Sequence, residues 1–212
     1  MSASLENVST YPLTSKKWGL KRFADIVISV ALIVLLLPLF VIIAMAIKLE
    51  SRGPILFQQA RHGVNRRVFF VWKFRSMRHS GTTDSGVLQV RREDPRATRV
   101  GRFLRRSSLD ELPQLLNVLE GSMSLVGPRP HPIPLDEKYE ALIEGYNNRY
   151  RVRPGITGWA QVNGYRGPID GEASMRARLR HDEQYIRTWS LLLDVKILLL
   201  TLYKGFFHQN AY

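Results

Sequence analysis

An uncharged apolar run, Ile26 to Ile47 (IVISVALIVLLLPLFVIIAMAI), limits what this chain can fold into more than any other feature. At about 1.5 Å per residue it is long enough to cross a hydrocarbon core of about 30 Å, so the chain is expected to be membrane-bound. The run starts well inside the chain, is too long for a signal-peptide core and has no small-residue cleavage pattern after it, which argues against a cleaved leader. Pro38 sits near its middle, where it removes a backbone hydrogen bond and kinks a helix. Both flanks are basic, with Lys16, Lys17, Lys21 and Arg22 before the run and Lys48 and Arg52 after it. By the positive-inside rule both ends belong in the cytoplasm. A re-entrant, proline-broken helix that dips into one leaflet and returns meets both observations. A straight span with one tolerated proline is the alternative. The chain then divides into a basic N-terminal segment (1–22), a re-entrant membrane helix (23–50) and a charged cytoplasmic domain with an interfacial C-terminal helix (51–212).

The charge outside the membrane run is lopsided. With 31 Lys and Arg against 18 Asp and Glu, a net charge of +13, the expected partners are anionic: lipid headgroups, nucleic acid or phosphorylated substrates. The absence of cysteine excludes disulfides, thiolate catalysis and cysteine-ligated metal. No Walker-type phosphate loop, dinucleotide glycine fingerprint, HExxH or GxSxG occurs, and the histidines His62, His79, His131, His181 and His208 are dispersed. Aromatic residues do not alternate with the arginines as a nucleic-acid stacking surface requires, so nucleic acid is not an expected partner.

Chemistry concentrates at Ser107-Ser108-Leu109-Asp110-Glu111-Leu112-Pro113-Gln114-Leu115, directly after the arginine-rich Arg102-Phe103-Leu104-Arg105-Arg106. Ser108 and Glu111 have the spacing of a capping box, and Leu112, Leu115, Leu116 and Leu119 recur at helical intervals. Pro113 holds the acidic pair to the first turn. Adjacent carboxylates can hold a divalent cation or attack phosphorus, with nearby guanidinium groups binding phosphate oxygens. Ordinary helix capping accounts for two acidic residues in a first turn equally simply.

Elsewhere, Ile55 to Gln59 and Arg67 to Phe74 read as short strands around the turn His62-Gly63-Val64-Asn65, and Gly81 to Gly86 as an exposed loop. Glu137 to Tyr150 and Glu172 to Thr188 read as helices. Arg153 to Gly164 is glycine-rich, suited either to backbone lying close to a ligand or to a tight structural loop. Leu191 to Leu200 is interrupted by Asp194 and Lys196. It can lie in the membrane interface with Trp189, Tyr203, Phe206 and Phe207 at headgroup depth, or be buried in the domain core. Periodicity alone gives an α/β unit with a membrane anchor.

Several blocks carry a family resemblance: Phe23-Ala24-Asp25 entering the membrane run, Lys73-Phe74-Arg75-Ser76-Met77, Asp94 to Arg106, Ser108 to Leu116, Met123 to Pro130, and Arg151 to Gly158. From about Lys21 to Tyr212 the chain resembles the bacterial sugar transferases, monotopic phosphoglycosyl transferases acting on polyprenyl phosphate. The resemblance implies a mixed α/β catalytic unit of helices and short strands on a re-entrant helix broken at Pro38, with interfacial helices. It implies transfer of sugar-1-phosphate from a UDP-sugar to undecaprenyl phosphate, with release of UMP, at the cytoplasmic face of the bacterial inner membrane. Asp110 is then the nucleophile, and Glu111 its partner that helps hold Mg²⁺. Arg105, Arg129, Lys73, Arg75 and Asp182 are expected around the substrates. Small members often carry Ser-Pro at the break where this chain has Leu37-Pro38, as in larger members, whose additional N-terminal helices and soluble domain have no counterpart in Met1 to Lys21. Gly164-Tyr165-Arg166-Gly167, Met175 and Lys204-Gly205-Phe206 resemble members moving glucose- or galactose-1-phosphate, with glucose favoured. A glycosyltransferase that releases UDP and a non-catalytic assembly scaffold are the alternatives, and homo-oligomerisation is left open.

Overall fold

The computed structural model describes residues 15–78 and 94–207; the expected loop Gly81 to Gly86 lies outside them. Helix α1, Ser15–Glu50, contains the whole apolar run, and Lys17–Glu50 is long and apolar enough to cross a membrane. The helix continues through Pro38, which lies inside it. One stripe of α1 is buried at roughly four-residue spacing, from Lys21, Asp25 and Ser29 to Ile43 and Ile47, while Val34, Leu35, Leu37, Val41 and Ile42 are exposed. That division places one helix face on protein and leaves the other for an apolar medium.

Both ends of α1 are fastened to the same folded unit. Near its start, Lys21 pairs with Asp194 at 2.6 Å, Arg22 donates to the carbonyls of Val118 and Leu119, and Asp25 accepts from the Leu125 N–H at 3.1 Å. At its other end, the Glu50 carboxylate accepts from the Arg99 and Val100 N–H groups at 2.5 and 2.9 Å, and so caps the next helix. Arg75 donates to the carbonyls of Ser51 and Arg52 at 2.7 and 3.0 Å, which satisfies acceptors left open where α1 ends.

The expected hairpin is present as β1, Leu56–His62, and β2, Val68–Phe74, paired antiparallel with Leu56 opposite Phe74. Helix α2, Arg99–Ser107, starts at Thr98, whose side chain accepts from the Gly101 N–H. A 3₁₀ turn, Leu109–Glu111, then leads through Pro113 into α3, Gln114–Glu120. Strands β3, Ser124–Val126, and β4, Gly155–Thr157, pair in parallel. Here the glycine-rich stretch has its structural role. A Cβ on Gly155 would stand 2.0 Å from the Gly127 nitrogen, so the glycines let two backbones meet.

The helix expected over Glu137 to Tyr150 is instead divided. Helix α4, Ile133–Glu140, begins earlier, behind Pro132, and a 3₁₀ segment, Tyr146–Arg151, follows Gly145, whose φ of 79° interrupts helical geometry. The short α5, Trp159–Val162, leads to α6, Gly171–Thr188, close to the range read from the sequence, and then to α7, Leu191–Phe207. Trp189 is in the core, donating to Asp194 at 3.1 Å, and is not exposed on a surface that could meet headgroups. Leu192, Val195, Leu199, Leu202 and Tyr203 form the exposed stripe of α7, while Asp194 and Ile197 are buried.

Three apolar clusters hold these elements. Val118, Met123, Val126, Ile186, Trp189 and Ile197 are among the residues of the largest, against which Ile28, Leu32 and Ile33 of α1 lie. A second joins Ile43 and Ile47 to Phe74 and Leu104, with Leu109 and Leu112 against it. A third, of Tyr139, Ile143, Tyr146, Tyr150, Ile169, Met175 and Leu179, binds α4, the 3₁₀ segment and α6.

Candidate active site

The acidic pair sits in the 3₁₀ turn between α2 and α3. Leu109 and Leu112 rest on the cluster beneath α1 while Leu115 enters the main core. These apolar contacts on either side fix the turn and its carboxylates. Ser108, at the joint, is left-handed with φ 57° and ψ 17°. The capping box anticipated between Ser108 and Glu111 does not form: the Ser108 side chain caps nothing, although its carbonyl accepts the Glu111 N–H at 3.2 Å. Glu111 is held by stronger partners. Arg129 grips it with two bonds of 2.6 and 3.0 Å, and Lys73, from β2, adds a third at 2.7 Å. Cationic donors bind a carboxylate more strongly than a neutral amide does, so tertiary contacts override the local motif.

Asp110 is as enclosed as Glu111, at 8% against 7% exposure, yet its carboxylate has no hydrogen-bond or ion-pair partner among the described residues. Burial pushes Asp110 up to about 6, with Lys73 opposing and Glu111 reinforcing the shift. Burial bears on Glu111 too, but Arg129 and Lys73 outweigh it and hold that carboxyl well below the usual range. The pair thus has one neutralised, anchored carboxylate and one available carboxylate that is mostly ionised at neutral pH.

The remaining predicted residues separate into distinct places. Arg105, buried in the last turn of α2, contributes positive charge that stabilises ionised Asp110. Arg75, expected near the phosphates, is committed to the end of α1; its hydrogen bonds go to Ile47, Ser51 and Arg52. Asp182 lies one layer behind the dyad. It accepts from Arg149 at 3.3 Å, and burial raises it to about 6.

That layer is the part sequence reasoning missed. Arg149 donates to the carbonyl of Arg129, to Tyr146 and to His131, and lies 3.6 Å from Asp136. Asp136 accepts from Tyr146 at 2.6 Å and meets His62 at 3.1 Å. Burial, reinforced by Arg149 and Arg178, holds His131 neutral. The Pro128-Arg129-Pro130 loop is therefore held from behind by buried charge. The only trace in the sequence is Tyr146, Arg149 and Tyr150 at helical spacing.

A family model described as bacterial sugar transferase matches residues 16–208. The chain belongs to that family. It is 50% identical over 201 residues to the Escherichia coli (strain K12) protein named UDP-glucose:undecaprenyl-phosphate glucose-1-phosphate transferase, covering 95% of this chain and 43% of that protein. It is 43% identical to a protein of the same name from Xanthomonas campestris pv. campestris, over 100% of this chain and 46% of that one. With the Rhizobium leguminosarum bv. phaseoli exopolysaccharide production protein PSS it shares 46% identity over 88% of this chain and 98% of the relative. The chain spans less than half the length of the first two. Across this sugar transferase domain, Asp110, Glu111, Lys73 and Arg129 come from two separate elements and one loop, so the constellation exists only in the folded unit.

Proposed function

We propose that the chain is a phosphoglycosyl transferase unit moving sugar-1-phosphate from a UDP-sugar, UDP-glucose being the favoured donor, to undecaprenyl phosphate. The observation that carries this reading is the unpartnered, enclosed Asp110 carboxylate beside a Glu111 already neutralised by Lys73 and Arg129. An Asp110 oxygen attacks the sugar-proximal phosphorus; the bond from that phosphorus to the bridging oxygen breaks, and UMP leaves. An oxygen of undecaprenyl phosphate then attacks the same phosphorus and the aspartyl bond breaks, restoring the carboxylate and giving undecaprenyl diphosphate sugar. Neither step needs a proton. Lys73, Arg129 and Arg105 set a positive field in which two anionic substrates are handled in turn.

The donor set suits Mg²⁺, which favours one or two carboxylates together with phosphates and water. Asp110 offers free oxygens, and Glu111 would join it only by exchanging Lys73 or Arg129. Bound there, the ion would supply further neutralisation of phosphate charge.

The attachment of both ends of α1 to one unit supports the re-entrant reading. A 36-residue helix is about 54 Å long if straight, and a span would carry its ends to opposite faces of the bilayer. With the basic flanks, this favours a dyad at the cytoplasmic face of the inner membrane, beside the headgroup of the acceptor.

The test is nucleotide release by the purified chain in nanodiscs with undecaprenyl phosphate, Mg²⁺ and a panel of UDP-sugars. UMP formed only with lipid, and lost in Asp110→Asn, is the expected result. UDP in its place would overturn the covalent phosphosugar route, and no turnover with any donor would favour a scaffold.

A further inference from the structure

One cation near the dyad has no carboxylate partner. Arg166, half-buried in the loop between α5 and α6, has a single hydrogen bond among the described residues: its Nη2 donates to the Ser108 hydroxyl. Ser108 precedes Asp110 by two residues, which the backbone spans in at most about 7 Å. A guanidinium has five N–H donors in a planar fork that matches two phosphate oxygens, so a neutral hydroxyl leaves most of its capacity unused.

The loop that carries Arg166 is held at its base and open at its tip. The Tyr165 N–H donates to the Ala160 carbonyl at 3.0 Å, its ring lies 4.7 Å from that of His181, and Arg178 donates to the Gly167 carbonyl at 2.9 Å. Gly164 and Gly167 flank the pair at φ 94° and 127°, with open space where a Cβ would stand. Lys73 and Arg129 already hold Glu111, whereas Arg166 can change partner without abandoning a carboxylate.

We propose that Arg166 binds a substrate phosphoryl group at the dyad, exchanging the Ser108 hydroxyl for phosphate oxygens. Which phosphate it meets rests on the transferase reading above: the diphosphate of the donor or the phosphate of the lipid acceptor. The Ser108 hydroxyl is its resting partner and has no part in binding.

Arg166→Ala, Arg166→Lys and Ser108→Ala, each in the full chain in nanodiscs, separate this from a scaffold role. Calorimetric titration with UDP is paired with steady-state turnover in which UDP-glucose and undecaprenyl phosphate are varied in turn. A lost charged hydrogen bond corresponds to a roughly ten- to hundredfold change in affinity. Arg166→Ala is expected to weaken UDP binding and raise the donor KM by that factor, with Arg166→Lys between and Ser108→Ala within about twofold of the parent. Unchanged UDP binding with a raised KM for undecaprenyl phosphate assigns the same contact to the acceptor. If Ser108→Ala reproduces Arg166→Ala, or if Arg166→Ala lowers kcat with both affinities unchanged, Arg166 is a loop fastener and the proposal fails. A parent chain that binds UDP but forms no UMP would overturn the transferase reading, while the titrations still decide the role of Arg166.

Discussion

Asp136 accepts a hydrogen bond from Tyr146, meets His62 and lies beside Arg149, whereas Asp110, also enclosed, has no hydrogen-bond or ion-pair partner among the described residues. The two carboxylates are shifted in opposite directions. Burial acts on both, but in Asp136 it is outweighed by His131 and Arg149, which draw the group down to about 2, while Asp110 rises to about 6. A carboxylate matched on every side holds structure together. One left unmatched in an equally enclosed place is held ready for something that arrives later.

The sharpest way to break this contrast is Asp110→Asn. Transfer should fall by more than about 10³-fold, as when a covalent nucleophile is lost. Thermal stability in a detergent melt should be unchanged or slightly raised, because no partner is abandoned. A melting temperature well below the parent's would mean that Asp110 is structural after all. Arg149→Met should do the reverse. It strands Asp136 and Asp182 and releases the Arg129 carbonyl, with an expected loss of about 3–5 kcal/mol measured by denaturant unfolding.

Asp136→Asn and Asp182→Asn refine the picture within the buried layer. A carboxyl lowered from 3.8 to about 2 contributes about 2 kcal/mol that is fully present above pH 4 and disappears as pH falls towards 2. Asp136→Asn should remove that acid-side dependence and destabilise at pH 7. Asp182, raised to about 6, has the opposite sign: its ionisation withdraws stability as pH rises from about 4 through 6. Asp182→Asn should therefore cost less than Asp136→Asn and flatten that part of the stability profile. The smallest change is expected from Lys73→Met. Lys73 opposes the upward shift of Asp110, so removing it should move the rising limb of the pH–rate profile above 6. An unmoved limb would detach Lys73 from the ionisation of Asp110.

How much of this was legible in advance depends on the range of the interactions. The β1–β2 hairpin, α6 and the membrane run follow from periodicity and turn residues, which act locally. Asp110 and Glu111 stood out as an adjacent pair, and family resemblance supplied their roles. Local rules misled at Ser108, where two distant cations took the glutamate that a capping box needed. They misled again at Gly145, where one positive-φ residue divides an expected helix. Arg75 illustrates a further limit: an arginine beside a predicted strand reads the same whether it faces phosphate or helix carbonyls. Asp136 and His131 were invisible because buried charges separated along the chain have no spacing to read, and Arg149 left only its helical spacing from Tyr146 and Tyr150.

Glu50 closes the end of the membrane helix onto the first N–H groups of α2, and Leu109 and Leu112 pack against the cluster that holds Ile43 and Ile47 of α1. With α1 in the bilayer as proposed, Asp110 sits at an altitude set by the anchor and cannot rise or sink independently of it. On the transferase reading proposed above, acceptors would then be sorted by where their phosphate floats as well as by its charge. Shifting the anchor by one turn would misplace the chemistry by about 5 Å without altering a single residue of the site.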